Sequence, residues 1–141
     1  MKHMTLEWAW TRIQLGITAL GGWLGYFLGG ADGPLIALVA MCALDYLTGV
    51  LCALAERRLS SAAGFRGICR KALIFILVGV GHTLDVYVAG TGAAMRTAVI
   101  CFYLSNEGIS LLENASRLGL PVPERLKAAL RQLHGREEDA P

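Results

Sequence analysis

Asp45, His82 and the adjacent pair Asn106 and Glu107 stand in the middle of long apolar runs, an unusual place for groups that ionise or hydrogen-bond. On the insertion scale an ionisable residue centred in a membrane helix costs about 2.5–3.5 kcal/mol. Such residues therefore face one another or water, with carboxyls protonated or paired with the imidazole. At a rise of about 1.5 Å per residue, each lies roughly 15 Å into its own run. The spacing predicts one polar layer built by three helices. The last run carries more: Tyr103, Asn106 or Glu107, Ser110, Glu113 or Asn114, and Arg117 recur every three to four residues, a polar stripe along one helix side. On residue types alone two readings stay open. The stripe is either hydrogen-bonding glue between helices, worth roughly 0.6–2 kcal/mol per contact, or a wet surface that lines an opening once subunits assemble. Asp85 and Arg96 flank a short connector and could form an ion pair.

Catalysis is the other chemistry these residues could serve. His82 and Asp85 share one helix face, and Ser105 and Ser110 offer hydroxyls. A hydrolytic triad needs a nucleophile hydrogen-bonded to a base, with donors for the oxyanion. The chain has no nucleophile elbow and no paired zinc-ligand motif, and its glycine-rich basic run from Gly64 to Lys71 does not fit a phosphate-binding loop. The expectation is a protein that is not an enzyme and takes no cofactor or metal. Cys42, Cys52, Cys69 and Cys101 show no metal-ligand or redox spacing and read as small hydrophobes rather than disulfide partners.

The elements that must position these residues are four hydrophobic stretches, at about 13–30, 35–55, 72–90 and 95–115. Crossing a hydrocarbon core about 30 Å thick takes roughly 20 mainly apolar helical residues. With 55% hydrophobic residues and a mean hydropathy of +0.50, a soluble fold would leave too much apolar surface uncovered. The expected fold is an all-α polytopic membrane bundle of four transmembrane helices. The alternative is three spans plus an interfacial or re-entrant helix. The first stretch is too long for a signal-peptide core and lacks a clean cleavage site, so it reads as a retained helix.

At 141 residues there is room for one bundle. Residues 1–12 form an amphipathic, interfacial lead-in with Leu6, Trp8 and Trp10, residues 13–116 the bundle, and residues 117–141 a terminal amphipathic helix and polar tail. Within the first stretch Gly21, Gly25 and Gly29 repeat every four residues, a face on which helices can approach closely, within or between subunits. The segment from Gly30 to Pro34 is a tight turn, Ser60 or Ser61 can cap a helix leading into the third stretch, and Gly90, Thr91 and Gly92 break the chain again. Leu118 to Pro123 stops the fourth helix. The last helix then runs over about 123–134, with Leu126, Leu130 and Leu133 on one face and Arg125, Lys127 and Arg131 mostly elsewhere.

Charge orients the bundle. Arg57, Arg58, Arg66, Arg70 and Lys71 crowd the second connector, whereas the other two carry only Arg96. Short loops rich in Lys and Arg stay in the cytoplasm. This places the second connector and both termini inside, the turns at Asp32 and Thr91 outside, and agrees with Arg117, Arg125, Lys127 and Arg131 beyond the fourth stretch. The net charge of +2 is too small to point to nucleic acid as a partner.

Several segments together resemble a known family. Leu44-Asp45-Tyr46-Leu47-Thr48-Gly49 is similar to the Asp-x-x-Thr-Gly element of the toxin-secretion and phage-lysis holins, in which Gly49 would be a helix-packing position. Ser60-Ser61 followed by Gly64, Gly67 and Arg70-Lys71 resembles that family's basic connector. The run from Phe102 to Glu107, then Ser110 and Glu113-Asn114, resembles its most distinctive segment, and Leu118 to Pro123 also matches. The resemblance covers about 45–133 in unbroken order, and the first stretch carries no part of it. It implies a bacteriophage-encoded protein of the bacterial inner membrane whose partners are the lipid bilayer and its own copies. Such a protein accumulates harmlessly, then assembles into lesions at a programmed time that let a muralytic endolysin reach the cell wall, without required direct contact. Some relatives serve toxin release, and an antiholin of almost the same sequence can delay opening. The competing class is a closed structural module or small-solute channel.

Overall fold

The computed structural model describes residues 2–90, 92–126, 128 and 132, and among them every regular element is helical. The helices are α1 (Lys2–Phe27), α2 (Gly33–Ala55), α3 (Ser61–Leu84), which continues through one π-helical turn at Asp85–Ala89, and α4 (Ala94–Arg117). α1 runs without interruption through the expected 1–12 segment into the first apolar stretch, with Arg12 stacked on the Trp8 ring at 3.9 Å. Half of the expected 123–134 helix, including Lys127, Leu130, Arg131 and Leu133, lies outside the described residues, as do the 135–141 tail and Thr91. What is described there begins with a turn in which the Leu126 N–H donates to the Pro123 carbonyl at 3.0 Å.

Local chemistry sets the helix ends. Gly29 and Gly30 take φ of +79° and +92°, conformations that cost a residue with a Cβ. Asp32 then caps α2, its Oδ1 accepting from the Leu35 N–H at 3.1 Å, with Pro34 in the first turn, where no amide hydrogen is required. Ser60 occupies the cap position of α3 in an extended conformation, but its hydroxyl makes no capping bond. α3 therefore starts well before the apolar run at 72–90, inside the basic segment. The π turn ends at Gly90 in the left-handed region. α4 has no side-chain cap of its own. Its first amides are satisfied by Asp85 of the preceding turn, which accepts from the Met95 N–H at 2.9 Å and the Arg96 N–H at 2.8 Å.

α2, α3 and α4 pack as a three-helix bundle. Its core is Leu35, Leu38 and Cys42 of α2, Ile74 and Val78 of α3, and Ile100 of α4, with Phe75, Val99, Tyr103 and Leu104 around it. α1 joins near its C-terminal end, where Phe27 sits over Gly79 of α3, and Tyr26 and Tyr87 share a hydroxyl hydrogen bond of 2.9 Å. Most other large apolar side chains point outward, among them Leu47, Leu51 and Leu54 on α2 and Leu73, Ile76 and Val80 on α3. Among the described residues, two helices are long and apolar enough to cross a membrane, Gly33–Ala55 and the continuous Ser61–Ala89. α1 and α4 have comparable lengths but carry more polar residues. All four cysteines are free. Cys42 and Cys52 are buried, while Cys69 and Cys101 are exposed, so the small-hydrophobe reading describes the first two alone.

Candidate functional site

The alternating helix directions determine which polar residues share a level. α2 descends to Ala55, α3 rises from Ser61 and α4 descends to Arg117. Asp45, Lys71 and Glu107 each stand ten residues from that common end, or roughly 15 Å along the axis. There Lys71 bridges the two carboxylates, its Nζ donating to Asp45 Oδ2 at 2.6 Å and to Glu107 Oε2. The three side chains are 16%, 17% and 6% exposed. Charges this withdrawn persist when they are paired and hydrogen-bonded.

The Asp-x-x-Thr-Gly element has a physical account here. Asn114 Nδ2 of α4 donates to Asp45 Oδ1 at 3.1 Å and to Thr48 Oγ1 at 3.1 Å. The Thr48 hydroxyl in turn donates back to the Leu44 carbonyl at 2.9 Å. A Cβ on Gly49 would lie 3.8 Å from Asn114 Nδ2, so the bare glycine faces that amide. One turn further, the Cys52 thiol donates to the Asn114 carbonyl at 3.3 Å. Tyr46 lies on Gly64 and Gly67 of α3, where a Cβ would approach its ring or hydroxyl to 3.4 Å. The glycines of the basic segment thus form the seat for an α2 aromatic.

The expected polar layer differs in membership. His82 lies eleven residues beyond Lys71 on α3, roughly 16 Å along the helix, and packs edge-on to Tyr26 at 6.4 Å. Asp45 and Glu107 come together, but Lys71 of the basic connector takes the place given to the imidazole. Asn106 is half-buried beside the buried Glu107. Along the α4 stripe, Asn114 and Glu107 face α2 and α3, Ser110 and Glu113 line a cavity, and Arg117 pairs with Glu56 of α2 at 2.8 Å. In a single chain the stripe therefore turns inward at Glu107 and Asn114, while Glu113 and Arg117 stay exposed.

A second polar centre closes the opposite end. The Arg96 guanidinium donates from Nε to the Leu28 carbonyl at 2.6 Å, from one terminal nitrogen to Asp32 Oδ2 at 2.6 Å, and from the other to Asp32 Oδ1 and the Gly30 carbonyl, both at 3.0 Å. This fork ties the α1–α2 turn to the start of α4. The hydrogen bond from Arg96 lowers the Asp32 carboxyl from 3.8 to about 2. Asp85 and Arg96 do meet, but through the Arg96 backbone amide, because the guanidinium is turned towards Asp32. A Cβ on Gly81 would lie 3.1 Å from the Arg96 backbone, so α3 and α4 approach closely at this point. Gly29 belongs to this centre. It follows the end of α1, and a Cβ there would come within 2.7 Å of His82 Nδ1 and 2.8 Å of Arg96 Nε. Gly21 and Gly25 meet no neighbour within 4 Å.

Below the Lys71 cluster, α2, the connector, α3 and α4 border a cavity of about 350 Å³ that is open to the surface on one side and reaches up to Asp45 and Glu107. Of the connector cations, Arg58, Arg70 and Lys71 line it, Arg58 and Arg70 from its exposed side, whereas Arg57 and Arg66 lie outside it.

A model of the bacteriophage holin family matches residues 22–135. An uncharacterised 14.9 kDa protein in the nagH 3′ region of Clostridium perfringens is 42% identical over 125 residues, which cover 89% of this chain and 95% of that one. An uncharacterised protein of Listeria innocua is 44% identical over 115 residues, 82% of this chain and 81% of its own. YqxH of Bacillus subtilis, also uncharacterised, is 29% identical over 115 residues, again 82% and 81%. No solved structure matches. The chain belongs to the bacteriophage holin family and is a holin-like, helical membrane protein.

Proposed function

We propose that this protein is a non-enzymatic holin. It accumulates in the cytoplasmic membrane of a bacterium with four membrane-crossing helices and both termini inside, assembles with its own copies, and at a set time opens a lesion through which an endolysin passes. The observation that carries this reading is the family match over residues 22–135, which spans α2, α3 and α4 and every residue of the Lys71 cluster. The two long apolar helices and the outward-facing leucines support residence in a bilayer. The open glycines Gly21 and Gly25 support α1 as a contact between copies. The inward-turned stripe of α4 describes the closed, harmless state. Opening would exchange its contacts within the chain for contacts with neighbours and water. The same closure also suits an antiholin, which would keep the bundle shut.

Inducible expression with and without an endolysin tests the function. Abrupt lysis at a reproducible time, dependent on the endolysin, is expected. Passage of small ions without release of a folded enzyme would instead identify a closed small-solute channel. Labelling of single cysteines on a cysteine-free background tests the topology: positions 61 and 136 are expected to resist membrane-impermeant reagent added outside intact cells.

A further inference from the structure

The cavity beside the connector draws its unpaired cations and its unpaired carboxylate from different elements. Arg58 of the connector and Arg70 of α3 form a basic side, and Glu113 with Glu107 of α4 an acidic side, with Ser60 and Ser110 contributing hydroxyls. Among the described residues, the side chains of Arg58, Arg70 and Glu113 enter no ion pair or hydrogen bond, although all three line the same space. Lys71 is already held by Asp45 and Glu107, two carboxylates against one ammonium, so that trio carries a surplus negative charge on the acidic side. The two free arginines are balanced by Glu113 and this surplus. The formal charges that line the cavity therefore sum to zero, with both signs available to a ligand. Its volume of about 350 Å³ is some ten times the ~30 Å³ that a water occupies in the liquid, and falls in the range of small-ligand sites.

We propose that this cavity binds the phosphoethanolamine head group of a membrane phospholipid. The inference rests on the membrane reading above, which places the connector at the cytoplasmic surface, where basic pockets between helices take lipid head groups. The presence of both signs decides the class of head group. A purely anionic one would satisfy Arg58 and Arg70 but bring no partner to Glu113. A zwitterion laid across the cavity places its phosphodiester against the guanidiniums and its ammonium against the carboxylates. A primary ammonium has three N–H donors for Glu113, Glu107 and the Ser110 hydroxyl, whereas a quaternary choline has none.

The test uses the full-length protein in nanodiscs of equimolar phosphatidylethanolamine, phosphatidylcholine and phosphatidylglycerol, with retained lipid read by native mass spectrometry. Phosphatidylethanolamine is expected to be retained about tenfold over each of the others, the scale of one charge-assisted hydrogen-bonded contact. Glu113→Gln should reduce it to the phosphatidylcholine level, and Arg58→Gln with Arg70→Gln should lower retention of all three. These side chains hold no partner within the protein, and unchanged helical circular dichroism checks that the variants fold. Equal retention of the three lipids, or preference for phosphatidylglycerol, overturns the proposal while leaving membrane residence intact. Failure of the protein to enter nanodiscs overturns the membrane reading and this inference with it. In nanodiscs lacking phosphatidylethanolamine, an equally retained adduct of soluble glycerophosphoethanolamine would assign the cavity to a free solute and overturn the lipid source.

Discussion

Replacing Lys71 by methionine keeps an unbranched side chain one atom shorter and removes the one cation between Asp45 and Glu107. Breaking a buried ion pair by deleting one partner costs about 3–5 kcal/mol, because the charge left behind is uncompensated. Here two carboxylates are left, one of them only 6% exposed. Native stabilities are themselves about 5–15 kcal/mol, so Lys71→Met should remove a large share of the total. For a chain of this size, where 1 kcal/mol moves a melting midpoint by about 2–4 °C, thermal unfolding in detergent or nanodiscs should shift by on the order of 10 °C. Glu107→Gln should be much milder. It keeps an acceptor for Lys71 and leaves one ammonium facing one carboxylate, a balanced pair. The combination of Lys71→Met with Asp45→Asn and Glu107→Gln should recover most of the lost stability, since no buried charge remains. In cells, Lys71→Met should advance or abolish timed lysis, while Glu107→Gln shifts the onset and leaves accumulation intact. Equal destabilisation by Lys71→Met and Glu107→Gln, or no recovery in the triple variant, would show that charge balance is not what the cluster provides.

Other consequences are more local. Asp32 has a folded-state pKa of about 2 against an ordinary 3.8, so its contribution is present at neutral pH and fades as pH falls through that interval. Asp32→Asn should therefore destabilise at pH 7 and converge with the parent near pH 2, modestly because Asp32 is 46% exposed; a pH-independent difference would refute the pairing. A Cβ at Gly79 would overlap the Phe27 ring, so Gly79→Ala should unseat the end of α1 at a cost of about 1–3 kcal/mol. Phe27→Ala in the same chain should relieve that overlap, measured by thermal midpoint and by cysteine cross-linking of α1 to α3. Gly25 has open space around it, so Gly25→Leu should leave the single chain's stability within about 0.5 kcal/mol of the parent. If α1 joins copies, the same variant should change oligomer size on cross-linking and delay lysis; unchanged size and timing would make the glycines incidental.

Much of the architecture is legible in the sequence. The all-helical class follows from long apolar runs punctuated by glycine and proline, and the break at 28–32 overlaps the expected Gly30 to Pro34 turn, although Gly33 and Pro34 belong to the first turn of α2. The meeting of Asp45 with Glu107 could be anticipated from the cost of burying each alone, and the order of motifs carried the family. Partner choice was not legible. Counting depth from the apolar run at 72–90 put His82 level with Asp45, but α3 begins at Ser61, and that offset raises Lys71 into the cluster and carries His82 to the far end. Arg96 looked like a partner for its neighbour Asp85, yet the turn after α1 presents Asp32 and two carbonyls that match the fork of the guanidinium better. Sequence by itself determined which residues are polar, which helix carries each, and that none could remain unpaired in an apolar setting. Tertiary structure decided which of them meet, because the level of a side chain depends on where its helix starts and its direction on how three helices pack. Neither quantity is written in the spacing along one helix.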